Sequence, residues 1–210
     1  MYRPKAFDIA GLDELHRFVE ASGPAHLVSM TADGLTGSVV PLLLDRAEGP
    51  YGRLVGHLAR ANHHWREVTP GVESLAIFAG PDAYISPNWY ATKAETGKVV
   101  PTWNYEVVHA AGELVVHDDP GWVGELVRRL TERHESGSVR PWSVDDAPAD
   151  FITGQLRAIV GIELRVTRLE GKRKLSQNRS EADARGVIDA LAGGSPAQQV
   201  VAERMRRALG

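Results

Sequence analysis

Hydrophobic positions in the first part of the chain change from a helical spacing to runs typical of strands. Apolar residues at helical spacing between residues 11 and 22, stopped by Gly23-Pro24, predict an amphipathic helix. Two apolar runs, Leu27–Thr31 and Leu35–Leu44, then flank Asp33-Gly34. That dipeptide suits the positive-φ positions of a tight turn, so we expect a β-hairpin.

The end of the next strand carries residues suited to an anion. The apolar run Leu54–Ala59 ends at Arg60, and Asn62 is a good N-cap for a short helix through Val68. Free N–H groups at a helix N-terminus and an adjacent guanidinium can together hold a phosphate. The alternative is that Arg60 only caps a strand in solvent.

The middle of the chain is dominated by strand patterns. Residues 74–86 predict one long strand with a break, or two strands, and residues 87–97 are expected to be irregular. A long β segment follows over Val99–His117. The glycine of Ala110-Ala-Gly112 predicts a bulge or sharp bend there, as at the corner of a barrel.

The remaining sequence mixes capped helices with one more strand. Asp119-Pro120 begins a helix, residues 151–156 are weakly helical, and residues 159–169 alternate as a strand. Ser180 and Ser195-Pro196 each begin a C-terminal helix.

These elements predict an α+β fold, mainly β, with a barrel as the best arrangement. We expect one domain over residues 1–179 and a helical tail over residues 180–210. The 210 residues, 43% of them hydrophobic, are enough for a real core. The absence of cysteine excludes disulfides, thiolate catalysis and cysteine-ligated metals.

The charge balance and the termini limit the partners. A formal net charge of −3 gives no general electrostatic reason to bind nucleic acid. No apolar stretch is long enough for a signal peptide or a membrane span, so we expect a cytoplasmic protein with no membrane partner.

Familiar catalytic and metal motifs are missing from the sequence. It contains no G-x-G-x-x-G after a strand, no Walker loop, no H-E-x-x-H and no G-x-S-x-G. A metal site is one interpretation of the three histidines His57, His63 and His64, but adjacent histidines on a helix point about 100° apart. We therefore expect no metal site.

Three further segments have unusual compositions. Tyr84–Tyr90 and Val100–Tyr105 combine prolines, tryptophans and short polar side chains. They suit a rigid aromatic wall for a planar ligand, or equally the filling of a barrel end or a subunit interface. Lys172–Arg179 joins cations to amides as a second potential anion site, with a solvated charge run as the ordinary alternative.

As a set, these residues resemble the FMN-binding negative transcriptional regulators, the PaiB-like family. The resemblance extends from Met1 to about Leu191. It rests on five uncommon blocks in the right order, namely Gly56–Trp65, Gly80–Tyr90, Val100–Gly112, Pro148–Leu164 and Lys174–Arg179.

The resemblance implies a split β-barrel like that of pyridoxamine phosphate oxidases, dimeric, with FMN in the groove between subunits. Residues of the strand-to-helix junction would receive the FMN phosphate: His57, Arg60, Ala61 and Asn62. A second set would approach the flavin or an adjacent pocket: Thr102, Trp103, Asn104, Lys174, Gln177 and Asn178.

Three functions stay open at this point, and no catalytic residue is assigned. The first is a flavin-binding regulator in which FMN is a sensor or redox group, although direct DNA binding is doubtful because only the arginines near Arg204–Arg207 could serve phosphates. The second is a flavin-dependent oxidoreductase acting on a small molecule with NAD(P)H. The third is a haem-handling split barrel with a histidine as axial ligand.

Overall fold

The computed structural model describes residues 1–209. Its strands are β1 (Asp8–Ile9), β2 (Ala25–Thr31), β3 (Gly34–Val40), β4 (Leu43–Asp45), β5 (Arg53–Ala59), β6 (Ser74–Ile85), β7 (Thr102–His117) and β8 (Ile159–Lys174). Its α-helices are α1 (Leu12–Ala21), α2 (His64–Glu67), α3 (Thr92–Thr96), α4 (Pro120–Glu135), α5 (Ala149–Arg157), α6 (Glu181–Ala192) and α7 (Pro196–Leu209).

The strands form one antiparallel sheet in the order β3-β2-β6-β7-β8-β5-β4, with β1 paired to β8. The two ends of the sheet, β3 and β4, leave it unclosed. The fold is therefore α+β, mainly β, with flanking helices and a helical C-terminal tail, as the sequence predicts. Within residues 1–209 no helix combines the length and apolar character that a membrane crossing requires.

The predicted hairpin is confirmed, but only one of the two residues expected to have a positive φ has one. Thr31 pairs with Gly34, so Ala32 and Asp33 form the turn. Gly34 has a φ of +114°, whereas Asp33 does not have a positive φ. The strand after the turn also ends early, because β3 stops at Val40 and β4 is separate.

Strand lengths differ most from the sequence predictions in the long strands. β6 is one unbroken strand, and β7 runs through Gly112 without interruption. A Cβ on Gly112 would lie 2.0 Å from the carbonyl oxygen of Arg165, so this glycine permits a close approach of two backbones. β8 continues to Lys174, well past the predicted end at residue 169. The segment expected to be irregular contains α3.

The chain divides into two compact units. Unit 1 contains Met1–Leu15, Ala79–Val108 and the chain from Glu170 onward, and unit 2 contains His16–Phe78 and His109–Leu169. The core of unit 1 packs Leu191 and Met205 of the two C-terminal helices against Ile85, Tyr90 and Leu175. One cluster in unit 2 joins Val55 to Leu126 and Leu130 of α4. The domain boundary after residue 179 stays a prediction.

Candidate functional site

The predicted site residues fall into two groups, one in each unit. The β5 junction contains His57, Arg60, Ala61 and Asn62, at the end of β5 and in the turn before α2. The β7–β8 group contains Thr102, Trp103 and Asn104 at the start of β7, with Lys174, Gln177 and Asn178 at the end of β8 and beyond it. Each group is described by itself.

Arg60 is held by a carboxylate and by backbone oxygens. Its Nη1 donates to Asp118 Oδ2 at 3.0 Å, and its Nε donates to the carbonyl oxygen of Arg157 at 2.8 Å. The hydrogen bond to Asp118 raises the pKa of Arg60 and lowers that of Asp118. Arg60 is therefore neither free in solvent nor ready for a phosphate, since a phosphate would compete with Asp118 for the same N–H groups.

Asn62 acts at the start of α2, although not as its N-cap residue. α2 contains only four residues and its N-cap position is His63, so the predicted helix boundary is wrong by one residue. The Asn62 side chain nevertheless accepts the His64 N–H, at 3.0 Å from its Oδ1. Ala61 is exposed beside it.

A chain of side-chain hydrogen bonds runs from Asn62 into the interior of unit 2. Asn62 Nδ2 donates to Ser38 Oγ at 3.0 Å, and Ser38 Oγ lies 2.9 Å from His64 Nδ1. His64 Nε2 lies 2.8 Å from Ser29 Oγ, which lies 2.7 Å from Ser74 Oγ. Asn62 Nδ2 donates to Ser38, whose hydroxyl keeps its own O–H and a second lone pair for the contact with His64.

This chain holds a neutral imidazole inside the protein. His64 is 2% exposed. Burial lowers the pKa of His64, an effect that Glu67 partly opposes. The sequence analysis missed this network, since serines on separate strands carry no local signal that they meet.

The other two histidines of this segment have separate surroundings. His57 is half-buried on β5, burial lowers its pKa, and it has no polar side-chain partner within residues 1–209. His63 is exposed, with Nδ1 3.6 Å from Glu67 Oε1. In the described part of the chain, no three His, Asp or Glu side chains are grouped so that they could hold a metal ion.

In the β7–β8 group, Lys174 connects two strands. Its Nζ donates to Thr102 Oγ1 at 2.7 Å and also to the carbonyl oxygen of Trp103. Burial lowers the pKa of Lys174, and the nearby cations Lys172 and Arg179 lower it further. The Trp103 side chain lies open, since the residue is 52% exposed.

Two members of this group serve the protein interior instead. Asn104 is fully buried and donates from Nδ2 to Ser176 Oγ at 3.0 Å and to Met205 Sδ at 3.3 Å. Gln177 accepts the Leu175 N–H and donates to the carbonyl oxygen of Arg173. Asn178 is exposed. Lys174, Thr102 and Trp103 are thus the members placed to meet a ligand.

The available groups fit FMN chemically. The guanidinium of Arg60, which contacts both carboxylate oxygens of Asp118, has the charge and the geometry to contact two phosphate oxygens in the same way. The unpartnered imidazole of His57 can donate to a phosphate or accept from a ribityl hydroxyl.

Residues 1–168 match the protein family described as "Putative FMN-binding domain". The chain belongs to this family. The chain is similar to the "Protease synthase and sporulation protein PAI 2" of Bacillus subtilis, with 31% identity over 191 residues, 91% of this chain and 89% of that protein. It is also similar to an uncharacterized protein of Aspergillus fumigatus, with 32% identity over 74% of this chain and 75% of that one. The chain is therefore an FMN-binding, PaiB-like protein.

Solved structures with much lower sequence identity share the fold of this FMN-binding, PaiB-like chain. An FAD and haem binding protein of Mycobacterium smegmatis matches with a TM-score of 0.57 and 15% identity, over 90% of this chain and 80% of that one. The conserved hypothetical protein Rv2991 of Mycobacterium tuberculosis matches with a TM-score of 0.56 and 12% identity, over 85% and 92%. Both likenesses concern the fold alone, a flavin-type split barrel.

Proposed function

We propose that the protein is a homodimeric flavoprotein in which FMN serves as a sensor or redox group. We infer the dimer from an exposed apolar face in unit 2. Bound FMN supplies reversible electron transfer and a visible spectrum that reports its redox state.

The face is formed by the outward residues of three adjacent strands. Burial alternates along β2 and β3, so every second side chain points to the solvent side. Cross-strand pairs then join Met30 to Leu35 and His26 to Val39. Leu35 is 74% exposed and Val39 is 63% exposed. We call the outward side chains the β2–β3–β6 face: His26, Val28, Met30, Leu35, Val39, Leu75 and Ile77.

A second copy of the chain is the occupant that we propose for this face. Contiguous exposed apolar patches of this kind are rare on monomers and common at subunit interfaces. The face lies on an edge strand, so two copies related by a twofold axis can present the same residues to each other.

Oligomeric state tests the dimer. Leu35→Lys with Val39→Lys is expected to shift the protein from dimer to monomer in sedimentation velocity at micromolar concentration, because charges cannot be buried unpaired in an apolar interface. Val139→Lys is the matched control, since Val139 is fully exposed on a loop far along the chain from the face. A wild-type monomer that binds FMN stoichiometrically would contradict the proposal.

We further propose that the β5 junction receives the FMN phosphate and that Arg60 changes partner from Asp118 when it does. His57 and Asn62 would add uncharged polar contacts. The phosphate would replace the carboxylate of Asp118 on the guanidinium, so that charge pairing is exchanged and not lost.

A pair of variants with opposite expected effects tests this exchange. Arg60→Ala is expected to weaken FMN by about tenfold and to leave riboflavin nearly unaffected, because one charge-assisted contact is lost. Asp118→Asn is expected to tighten FMN, since it removes the competitor without removing the guanidinium. Flavin fluorescence titration measures both. If Asp118→Asn leaves FMN affinity unchanged while Arg60→Ala weakens both flavins alike, Arg60 acts on folding.

A further inference from the structure

Aromatic rings and lysines share one face of the sheet in unit 1. Side chains two residues apart on a strand point the same way, which groups Trp103 with Tyr105 on β7 and Lys172 with Lys174 on β8. Lys172 Nζ lies 5.2 Å from the ring centroid of Tyr105, so both pairs are on one face. We call this surface the aromatic–lysine face: Tyr2, Tyr84, Trp103, Tyr105, Lys172 and Lys174.

The rings of this face are open to a ligand. Tyr84 is 46% exposed, and its ring meets that of Trp103 edge to face, with centroids 6.0 Å apart. Tyr2 is 82% exposed and lies 5.5 Å from Lys172 Nζ. The rings of Tyr84 and Trp103 are thereby held at a fixed angle, and their remaining surface lies in solvent. Such an arrangement is suited to stacking against a planar molecule.

The lysines of this face are not paired with acids, since Glu170, two residues before Lys172 on β8, pairs with the Met1 amino group and Arg3 instead. Within residues 1–209, no ion pair joins Lys172 or Lys174 to a carboxylate, and Lys172 is stacked on tyrosine rings instead. Arg173, which points to the opposite face, shows the contrast, because Glu14 and Glu106 both pair with it. The charge of Arg173 is thus compensated by carboxylates, whereas the charges of Lys172 and Lys174 are not.

Lys174 is also held in position. Two of its three N–H groups are bonded to neutral oxygens of Thr102 and Trp103, which leaves one N–H for a ligand. The turn that follows is fixed by the Gln177 side chain and by Ser176, whose φ of +68° is unusual for a residue other than glycine. Burial lowers the pKa of Lys174, and the neighbouring cations Lys172 and Arg179 lower it further, so an anion beside these three cations would offset their repulsion.

We propose that the aromatic–lysine face binds a planar molecule with a phosphate group, of the nucleotide class, as a second ligand distinct from FMN. The phosphate lies against Lys174, with Lys172 and Arg179 adding longer-range attraction, and the ring stacks on Trp103. A nucleotide fits better than a nucleic acid strand, because three cations on a protein of net charge −3 are too few to follow a phosphate backbone.

Binding of three probes to the FMN-loaded wild-type protein tests the proposal by calorimetry. NADPH carries rings and phosphates, nicotinamide riboside carries a ring without phosphate, and inorganic pyrophosphate carries phosphate alone. NADPH is expected to bind best. Lys174→Gln is expected to weaken NADPH and pyrophosphate by about tenfold, the loss of one charge-assisted contact. Trp103→Ala is expected to weaken NADPH by about fivefold and to leave pyrophosphate unchanged, because stacking is lost.

Matched controls separate binding from folding and from the flavin. Lys98→Gln removes the same charge from an exposed loop lysine and is expected to change no probe. Lys174→Arg keeps a cation, and its thermal unfolding shows whether the position tolerates substitution. FMN affinity, measured separately for each variant, is expected to stay at the wild-type value.

Three results would overturn the proposal. The first is that wild-type protein binds none of the three probes. The second is that Lys174→Gln weakens FMN as much as NADPH, which would assign these cations to the flavin. The third is that a single-stranded oligonucleotide binds more tightly than NADPH. If the protein is not a dimer, or if Arg60 does not exchange Asp118 for the FMN phosphate, these three results can still be obtained and keep their meaning.

Discussion

At the scale of single residues, the buried imidazole of His64 is the side chain on which the β5 junction depends. The ring bonds Ser38 at one nitrogen and Ser29 at the other, and the backbone N–H of His64 donates to Asn62 Oδ1. A buried polar group that loses one partner costs more than the hydrogen bond itself contributed. These hydrogen bonds therefore fix the position of the Asn62 side chain.

The first prediction concerns the loss of this imidazole. His64→Gln is expected to lower the free energy of unfolding by about 2 kcal/mol, because the amide cannot bond Ser38 and Ser29 at once and one of these two serines loses a buried hydrogen bond. Chemical denaturation measures the change. His63→Gln, next to it and exposed, is the control and is expected to stay within about 0.5 kcal/mol of wild type.

The second prediction concerns pH. Burial lowers the pKa of both His57 and His64 below the ordinary value of 6.5, so the unfolded chain takes up protons before the folded one does. Stability is therefore expected to fall as pH drops below about 6.5, until the folded-state pKa values are reached. A pH series of unfolding curves tests this. The slope is expected to be shallower for His57→Gln, and an unchanged slope in that variant would contradict the argument.

Residue-scale features were the hardest to predict from sequence. The candidate residues near Arg60 were recognisable from their types, but their partners were not. Asp118 is distant along the chain and the serines around His64 belong to three strands, so only the folded chain brings them together. The close backbone approach at Gly112 is of the same kind, since its cause is Arg165 on another strand.

At the scale of elements, local chemistry decided where most helices begin. Asp119 accepts the Trp122 N–H at 2.8 Å, and Ser180 accepts the Asp183 N–H at 3.2 Å. Both caps were readable from sequence because the partners are three residues apart. The end of β8 was not readable, since Lys172 and Arg173 look like a solvated loop until Tyr105 and Glu106 are placed beside them.

The third prediction uses two helical glycines with opposite surroundings. Gly154 in α5 has open space at its Cβ position, so Gly154→Ala is expected to stabilise the protein by about 0.5–1 kcal/mol. A Cβ on Gly186 in α6 would lie 2.1 Å from the carbonyl oxygen of Trp89, so Gly186→Ala is expected to destabilise it. Thermal unfolding compares the two variants. Stabilisation by both would mean that the turn at Trp89 yields easily.

At the scale of the whole molecule, charge and family membership bear on which partners the protein can bind. The family resemblance predicted the split barrel and the flavin, which sequence pattern alone left as an unspecified barrel. Net charge is −3, and the basic residues of α7 partly pair with Glu203 on the same helix. Such a surface offers little to a DNA backbone.

The fourth prediction is that direct DNA affinity is weak and strongly salt-dependent, because phosphate contacts would supply nearly all of it. Titration of the FMN-loaded protein against promoter and scrambled duplexes at physiological salt measures the preference. If the protein is a regulator, as the family resemblance implies, we expect it to act through small-molecule chemistry or a protein partner. A nanomolar preference for the promoter would refute it.

The edge strand β3 has a consequence for handling the protein. Its outer backbone groups have no strand beside them, and Leu35 and Val39 lie exposed along it. Open edges with apolar side chains are templates for strand addition by other chains, which leads to aggregation. If a second copy normally shields this edge, mild denaturant that separates the copies exposes it, so aggregate is expected at denaturant concentrations where the helices still give a native circular dichroism signal.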